Sequence, residues 1–534
     1  MSGRVGVAAL LWGLSILLSR VIGVVREAVI GRVLGGGAEA DVYWTSFVLP
    51  DYLNYLLAGG ALSVVFIPIF AGHVARGDEA EGWRVFSTIF NFVSVALIGV
   101  TVVLWALTPA LAPLVAPGFE PWQHELLVKL TRITLPAQIF HVLGGLLSAV
   151  LQARDKHALP AFANLGYSLS IVGFGLVLGP SLGAEGFAWG VLVGSILGPF
   201  GMPLYGCLRD GLGWRPLMRL GHPDFRRYVW LSFPIMLAFS IVVVDDWLLK
   251  RFGSLVGEGV VSRLQYAKTL MKVPWGIFGM AAGAAAFPTL ARLVAEGKGG
   301  EAYETLIRAC RVMLVLAFAS QAAFTVAGEH LAAVIWGTTR FTAEELHQIG
   351  LLNAVFCGAL GAWAAQSLIS RGFYAQQNTW FPSLWGSAVV LLAWPIYGLL
   401  GERLGAVGLA IASSIAITVY TVVMSLRLRQ TLAGPNAPTL VGFVLKMLLI
   451  TALGILGGEA LDQGVGLWIG PEGLGGPTAR ALLRGALGGG AAMILCLGLA
   501  WVFGVNEAVE VVRRVQDALA RRLGGRLPFL RRKP

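Results

Sequence analysis

The sequence predicts an all-α integral membrane protein of about fourteen transmembrane helices, arranged as two pseudo-symmetric six-helix halves followed by two further helices. Three observations carry this prediction. The 534 residues are 56% hydrophobic and only 13% charged, about half the charge of an ordinary soluble protein. Mean hydropathy is +0.74, and a surface that apolar is tolerated only where lipid is the solvent. Apolar runs of about 20 residues, each long enough to span a bilayer, recur along the whole chain, and segments of the first half reappear in the second at a nearly constant displacement.

The first run, near 5 to 32, begins like a secretory leader with Arg4, but it lacks a small-residue cleavage site and continues into Arg20 and Arg26, so it reads as a retained span. The second, near 41 to 70, opens on Asp41 and carries Pro50, Asp51, Asn54, Gly59 and Gly60. Runs near 85 to 107, 124 to 152, 159 to 178 and 186 to 208 complete the first half. The second half starts near 228 to 250, with Asp245 and Asp246, and 258 to 290, with Ser262, Arg263, Lys268, Lys272, Pro274 and Gly276. It continues near 303 to 336, 345 to 371, 379 to 400 and 404 to 426. Runs near 438 to 458 and 479 to 503 stand outside the duplication.

The expected domains are residues 1–225, 226–430, 431–504 and a basic tail over 505–534. In that tail Val505, Ala508, Val512, Val515 and Leu519 lie beside Arg513, Arg514, Arg521 and Arg522. This pattern fits an interfacial helix on an anionic leaflet; a solvated basic tail is the competing reading.

A net charge of +11 would also suit a nucleic-acid binder. Here, however, Lys and Arg collect in alternate loops, among them Arg76, Arg84, Arg154, Lys156, Arg226, Arg227, Arg292 and Lys298, while segments 108 to 123, 179 to 185 and 459 to 478 have none. That alternation places both termini on the cytoplasmic side, and no nucleic-acid partner is expected. Cys207, Cys310, Cys357 and Cys496 show no metal-ligand spacing.

Pro68 and Gly77 recur as Pro288 and Gly297, displaced by 220; Leu182–Ala188 recurs as Leu404–Ala410, displaced by 222, as Pro160 does in Pro382. Six spans per half is an even number, so both halves enter from the same side, a parallel repeat of the kind found in alternating-access transporters.

Ionisable groups within a span cost about 3 kcal/mol and so usually face a cavity, a partner or a substrate. They concentrate in spans 1, 2, 7 and 8. Lys268 and Lys272 share a helix face, and together with Arg20 and Arg26 they equip corresponding ends of the two repeats for a phosphate or pyrophosphate. Snorkelling to the headgroups is the competing reading for Arg263 and Lys272. Pro50, Gly59 and Gly60, and Pro274 and Gly276, are bending points in equivalent spans. No HExxH, GxSxG or P-loop pattern occurs, so a transporter rather than an enzyme is expected.

The stretch Ser19-Arg20-Val21-Ile22-Gly23-Val24-Val25-Arg26-Glu27-Ala28, with Ala40-Asp41, Leu49-Pro50 and Gly60-Ala61-Leu62-Ser63 leading to Phe66-Ile67-Pro68, resembles the MurJ (MviN) lipid II flippases of the multidrug/oligosaccharidyl-lipid/polysaccharide exporter superfamily. The resemblance implies two lobes in a V around a cationic cavity, which carries lipid II from the inner to the outer leaflet of the bacterial cytoplasmic membrane for cell-wall synthesis. It implies functional roles for Arg20, Arg26, Asp41, Pro50 and Ser262. It also implies lipid II, membrane lipids and other cell-wall synthesis proteins as partners.

Asn54 stands where the family usually has an arginine, and Thr269 and Lys272 stand where its eighth span usually has an arginine and an acid. Lys268 and Lys272 restore positive charge without the bidentate fork of arginine. No enzymatic cofactor is expected; Asp245 or Asp246 is the candidate ligand for a coupling sodium ion, and an inward-negative potential is a sufficient drive, at about 2.3 kcal/mol per charge per 100 mV. Spans 13 and 14 are expected to hold the isoprenoid tail. A flippase or exporter of another polyprenyl-pyrophosphate glycan or of a drug is the nearest alternative. A membrane glycosyltransferase would need larger outer loops.

Overall fold

A computed structural model describes residues 21–58, 65–154, 156–237, 241–337, 340–378, 380–434, 437–470, 476–510 and 513. Among them the chain is helices and short connections, without strands. Arg20, Gly59, Gly60 and most of the expected basic tail lie outside the described residues.

In order, the helices are α1 (21–34), α2 (Ala38–Thr45), α3 (Val48–Ala58), α4 (Ile67–Ala75), α5 (Glu79–Val115), α6 (Pro121–Thr134), α7 (Ala137–Ala153), α8 (Ala158–Leu182), α9 (Ala184–Ser195) and α10 (Met202–Arg209). There follow α11 (Pro223–Leu237), α12 (Ile241–Val256), α13 (Val260–Ala295), α14 (Gly299–Trp336), α15 (Ala343–Gly358), α16 (Leu360–Ala375), α17 (Trp380–Leu432), α18 (Val441–Ile469) and α19 (Pro477–Val502).

Eight segments among the described residues are long and apolar enough to cross a membrane, or nine if α15 and α16, bent by 44°, form one span. α17 has 53 residues, about 80 Å of helix, far more than the roughly 30 Å of a bilayer core. It reverses at Gly405 (φ 59°, ψ −137°), which supplies the two spans expected there. The segments that do not pass are the first, second, seventh and eighth of the expected fourteen, so the full count is not accounted for on this criterion. α13 carries Arg263, Lys268 and Lys272, and the second span is broken.

The internal repeat is legible in the backbone. α4 ends with Gly77 N–H bonded to the Val74 carbonyl and Asp78 N–H to that of His73; α13 ends with Gly297 to Val294 and Lys298 to Leu293. Both glycines are left-handed, at φ 74° and 75°, as this C-terminal turn requires. Gly183 (φ 56°, ψ −130°) and Gly405 share a second unusual conformation 222 residues apart.

The described chain packs as two compact units. The first runs to Gln265 and adds Thr339–Phe341 and Ser383–Leu409; the second takes Tyr266–Thr338, Thr342–Pro382 and the chain from Ala410. In the first, α4, α5 and α7 form a core in which Phe66, Phe70, Trp83 and Phe86 meet edge to face, stacked or tilted. Lipid tails are as apolar as these side chains, so the contacts stabilise by close packing rather than by escape from water.

In the second unit α14 lies against α15, α16, α18 and α19. Asp462 of α18 accepts two bonds from Arg484 of α19, at 2.9 and 2.6 Å, and meets His330 of α14 at 2.9 Å. A Cβ on Gly488 would lie 2.9 Å from that of Asp462, so small residues permit the approach. The four cysteines are buried and unbridged.

Candidate functional site

The second span breaks between α2 and α3. Pro50 cannot donate to the Ser46 carbonyl, and its ring crowds it; that carbonyl instead accepts from the Thr131 hydroxyl at 3.4 Å. The predicted bend therefore occurs one turn before Pro50. α13 runs unbroken through Pro274 and Gly276.

The short helix α2 carries Asp41, 1% exposed. Its carboxylate accepts from the backbone N–H groups of Gly259 at 2.6 Å and Ser262 at 2.7 Å, capping the first turn of α13. The arrangement is reciprocal, because Glu258 accepts from the N–H of Ala38, the first residue of α2, at 3.2 Å. The Ser262 hydroxyl donates to the carbonyls of Gly36 and Gly259. Each carboxylate meets the positive end of the other helix's dipole. The paired positions are 218, 220 and 221 residues apart, close to the displacement of the repeat, so the junction joins corresponding regions of the two halves. Gly259 is left-handed (φ 76°), and a Cβ there would lie 2.4 Å from the Gly36 carbonyl oxygen. This junction lies at the ends of α2 and α13 remote from the basic segments around Arg76 and Arg292.

Deeper in the first unit, Arg26 pairs with Glu27 at 2.8 Å; Arg26 is 27% exposed and Glu27 7%. Tyr167 lies in α8, in the same unit. Asn54, one turn from Asp51, donates to Gln138 of α7 at 2.8 Å. One turn further along α7, His141 meets the Tyr167 ring edge-on at 5.0 Å. Sequence reasoning missed Gln138, His141, Tyr167 and Glu258; the available signal was three polar side chains inside apolar runs, two of them at i, i+3.

In the second unit Lys268 is 1% exposed, its ammonium 5.4 Å from the centre of the Trp363 ring. Trp363 is held by the Trp275 indole, which donates to its carbonyl at 3.1 Å. Lys272 is half-buried. The expected face-sharing lysines thus occupy different surroundings.

Asp245 is buried and accepts the Tyr397 hydroxyl, and Asp246 is half-buried beside it. Among the described residues no three His, Cys, Asp or Glu side chains converge on a metal position.

A family model described as lipid II flippase MurJ matches residues 30–462. The chain belongs to the MurJ family of lipid II flippases. Its similarity to the lipid II flippase MurJ of Burkholderia cenocepacia is 27% identity over 428 residues, covering 78% of this chain and 82% of that protein. A probable lipid II flippase MurJ of Thermotoga maritima is 25% identical over 430 residues, covering 79% and 85%. Among solved structures, an inward closed conformation of the lipid II flippase MurJ superposes with a TM-score of 0.73 at 19% identity, covering 92% of this chain and 99% of that one. An inward-facing multidrug-resistance MATE transporter superposes at 0.63 with 15% identity, covering 78% and 94%. These two likenesses establish the fold.

The MurJ match spans Asp41, Asn54, Ser262, Lys268 and Lys272, begins just after Arg26, and ends at Asp462. Membership in the MurJ family, together with the apolar spanning helices, makes this a multi-span protein of the bacterial inner membrane and a transporter rather than an enzyme.

Proposed function

We propose that this chain carries lipid II from the inner to the outer leaflet by alternating access. The observation that carries the reading is the family match over residues 30–462. The structure supports it with half-exposed polar side chains on apolar spans, which lipid cannot solvate and an internal cavity can. Under the positive-inside rule both termini are cytoplasmic, and the Asp41–Glu258 junction then lies at the outer end, where it closes the path. Opening it breaks the two Asp41 bonds and the Glu258 bond, each worth about 1.5–3 kcal/mol as charge-assisted hydrogen bonds.

The candidate cations for the diphosphate are Arg20 and Arg26 of the first span and Lys268 and Lys272 of the eighth, and Lys268 would have to leave Trp363 to serve. The substrate headgroup is anionic, so an inside-negative potential favours its outward passage by about 2.3 kcal/mol per charge per 100 mV. α18 and α19, fixed to α14 through Asp462, serve the isoprenoid tail.

The test is expression in cells depleted of their own lipid II flippase, with lipid II exposure read by an externally added cleaving enzyme. Exposure that is lost in Arg26→Ala, with the protein still in the membrane, is expected. No exposure from the folded wild type would overturn the reading in favour of another lipid-linked glycan.

A further inference from the structure

We propose that the turn between α5 and α6 is a second outer latch, closed on the end of α12, and that Gly118 is the positioning residue that lets it close. This inference rests on the flippase reading above and on its orientation. The contact lies within the first unit. Pro117 stops α5: it has no N–H to donate, and Ala116 before it leaves the helical region at φ −139°, ψ 77°. A helix continuing through this point would bond the Gly118 N–H to the Leu114 carbonyl, four residues back. α12 takes both groups instead. The Gly118 N–H donates to the Ser254 hydroxyl at 3.2 Å, and the Leu114 carbonyl accepts from the Arg251 guanidinium, a cation at the negative end of α5.

Both sides of the contact are built in advance. On α12, the buried Ser254 hydroxyl donates to the Arg251 carbonyl at 2.7 Å, which leaves lone pairs to accept from Gly118. Arg251 itself lies over the Trp394 ring, 5.0 Å from its centre. On the other side the turn is ordered without α12. The His124 ring donates to the Ala116 carbonyl at 2.9 Å, and Glu120 and Gln123 form a reciprocal capping box at the start of α6.

Gly118 is required for a steric reason. Its φ is outside the left-handed region, so the backbone itself would admit alanine. The space would not, because a Cβ there would overlap the Ser254 carbonyl and lie 2.8 Å from the Leu255 Cα. These are main-chain atoms, which cannot swing aside as a long side chain can. The chain just beyond α12 carries Glu258, Gly259 and Ser262, the partners of α2. Residues 251–262 are therefore gripped at two places, by α2 and by the α5–α6 turn. By the repeat, α5 and α6 belong to the first half and α12 to the second, so a junction between them at the closed end has to part when that end opens.

The experiment uses the full-length chain in nanodiscs, with Ala38→Cys as a reporter at the buried start of α2 and a water-soluble maleimide as the probe. The four native cysteines, all buried, report general loosening. Gly118→Ala is expected to raise labelling of the reporter by at least about tenfold, the native cysteines staying unlabelled. Ser254→Ala removes one neutral hydrogen bond but none of the obstructing backbone, so a rise of about two- to tenfold is expected. In cells depleted of their own flippase, Gly118→Ala is expected to expose lipid II at least about tenfold more slowly than the wild type.

Unchanged reporter labelling in a folded Gly118→Ala protein overturns the latch, and so does lipid II exposure at the wild-type rate. Should the native cysteines label in step with the reporter in that variant, Ser254→Ala decides: a rise at the reporter alone upholds the latch, and no rise overturns it. A folded wild type that exposes no lipid II overturns the flippase reading, while the labelling result still decides whether this turn closes the end of the molecule.

Discussion

At the scale of single residues, the candidate site consists of polar groups that the apolar spans would otherwise reject. Asp41 is the clearest case, a carboxylate buried at 1% exposure whose two oxygens each take a backbone N–H. Asp41→Ala orphans those donors at about 1–3 kcal/mol each and should shift the population toward an open outer end. The readout is labelling of a cysteine at the buried Ala38 by a membrane-impermeant maleimide added outside. Faster labelling in the Asp41→Ala background is expected, and an unchanged rate would remove Asp41 from the closure. Arg26 illustrates the limit of reading residues singly. Its charge was evident in the sequence; that Glu27 takes up part of it follows only from the rotamers that bring the two side chains to 2.8 Å.

At the scale of elements, the repeat explains why particular glycines occupy particular turns. Gly183 and Gly405 share a conformation that side chains rarely adopt, and a Cβ on Gly183 would lie 1.9 Å from Glu39 Oε1, the atom that caps α9 by accepting from Ala184 N–H at 2.7 Å. Gly183→Ala should therefore lower stability by about 1–3 kcal/mol and more than Gly405→Ala, whose nearest neighbour, Val256, is 3.6 Å from an added Cβ. Thermal unfolding in detergent measures both, and equal losses would refute the role given to the Glu39 cap. The same assay tests the attachment of α18 and α19 to α14. Asp462→Ala leaves Arg484 and His330 without their shared acceptor and should cost about 3–5 kcal/mol, as breaking a buried ion pair does; a loss under 1 kcal/mol would mean that the small-residue packing alone holds the helices.

At the scale of the whole molecule, the proposed transport should follow the electrical gradient. In proteoliposomes, an imposed inside-negative diffusion potential should accelerate outward movement of lipid II, and a rate indifferent to potential would exclude charge movement as the drive. Membrane class, most of the spans, the duplication and the family were legible in the sequence, because hydropathy, loop charge and turn glycines are local properties that survive without any knowledge of packing. The candidate residues were legible for the same reason, since Asp41, Asn54, Ser262 and Lys268 are conspicuous in apolar surroundings. Their partners were not. The capping of α13 by Asp41, the pairing of Asn54 with Gln138 and the burial of Lys268 against Trp363 each depend on how helices distant in sequence cross one another, and periodicity says which face of a helix is polar but not which residue another helix brings to it. Tertiary structure alone decided that Arg26 pairs with Glu27, that Asn54 meets Gln138 and that Lys268 is buried against Trp363, because only packing sets which polar groups meet.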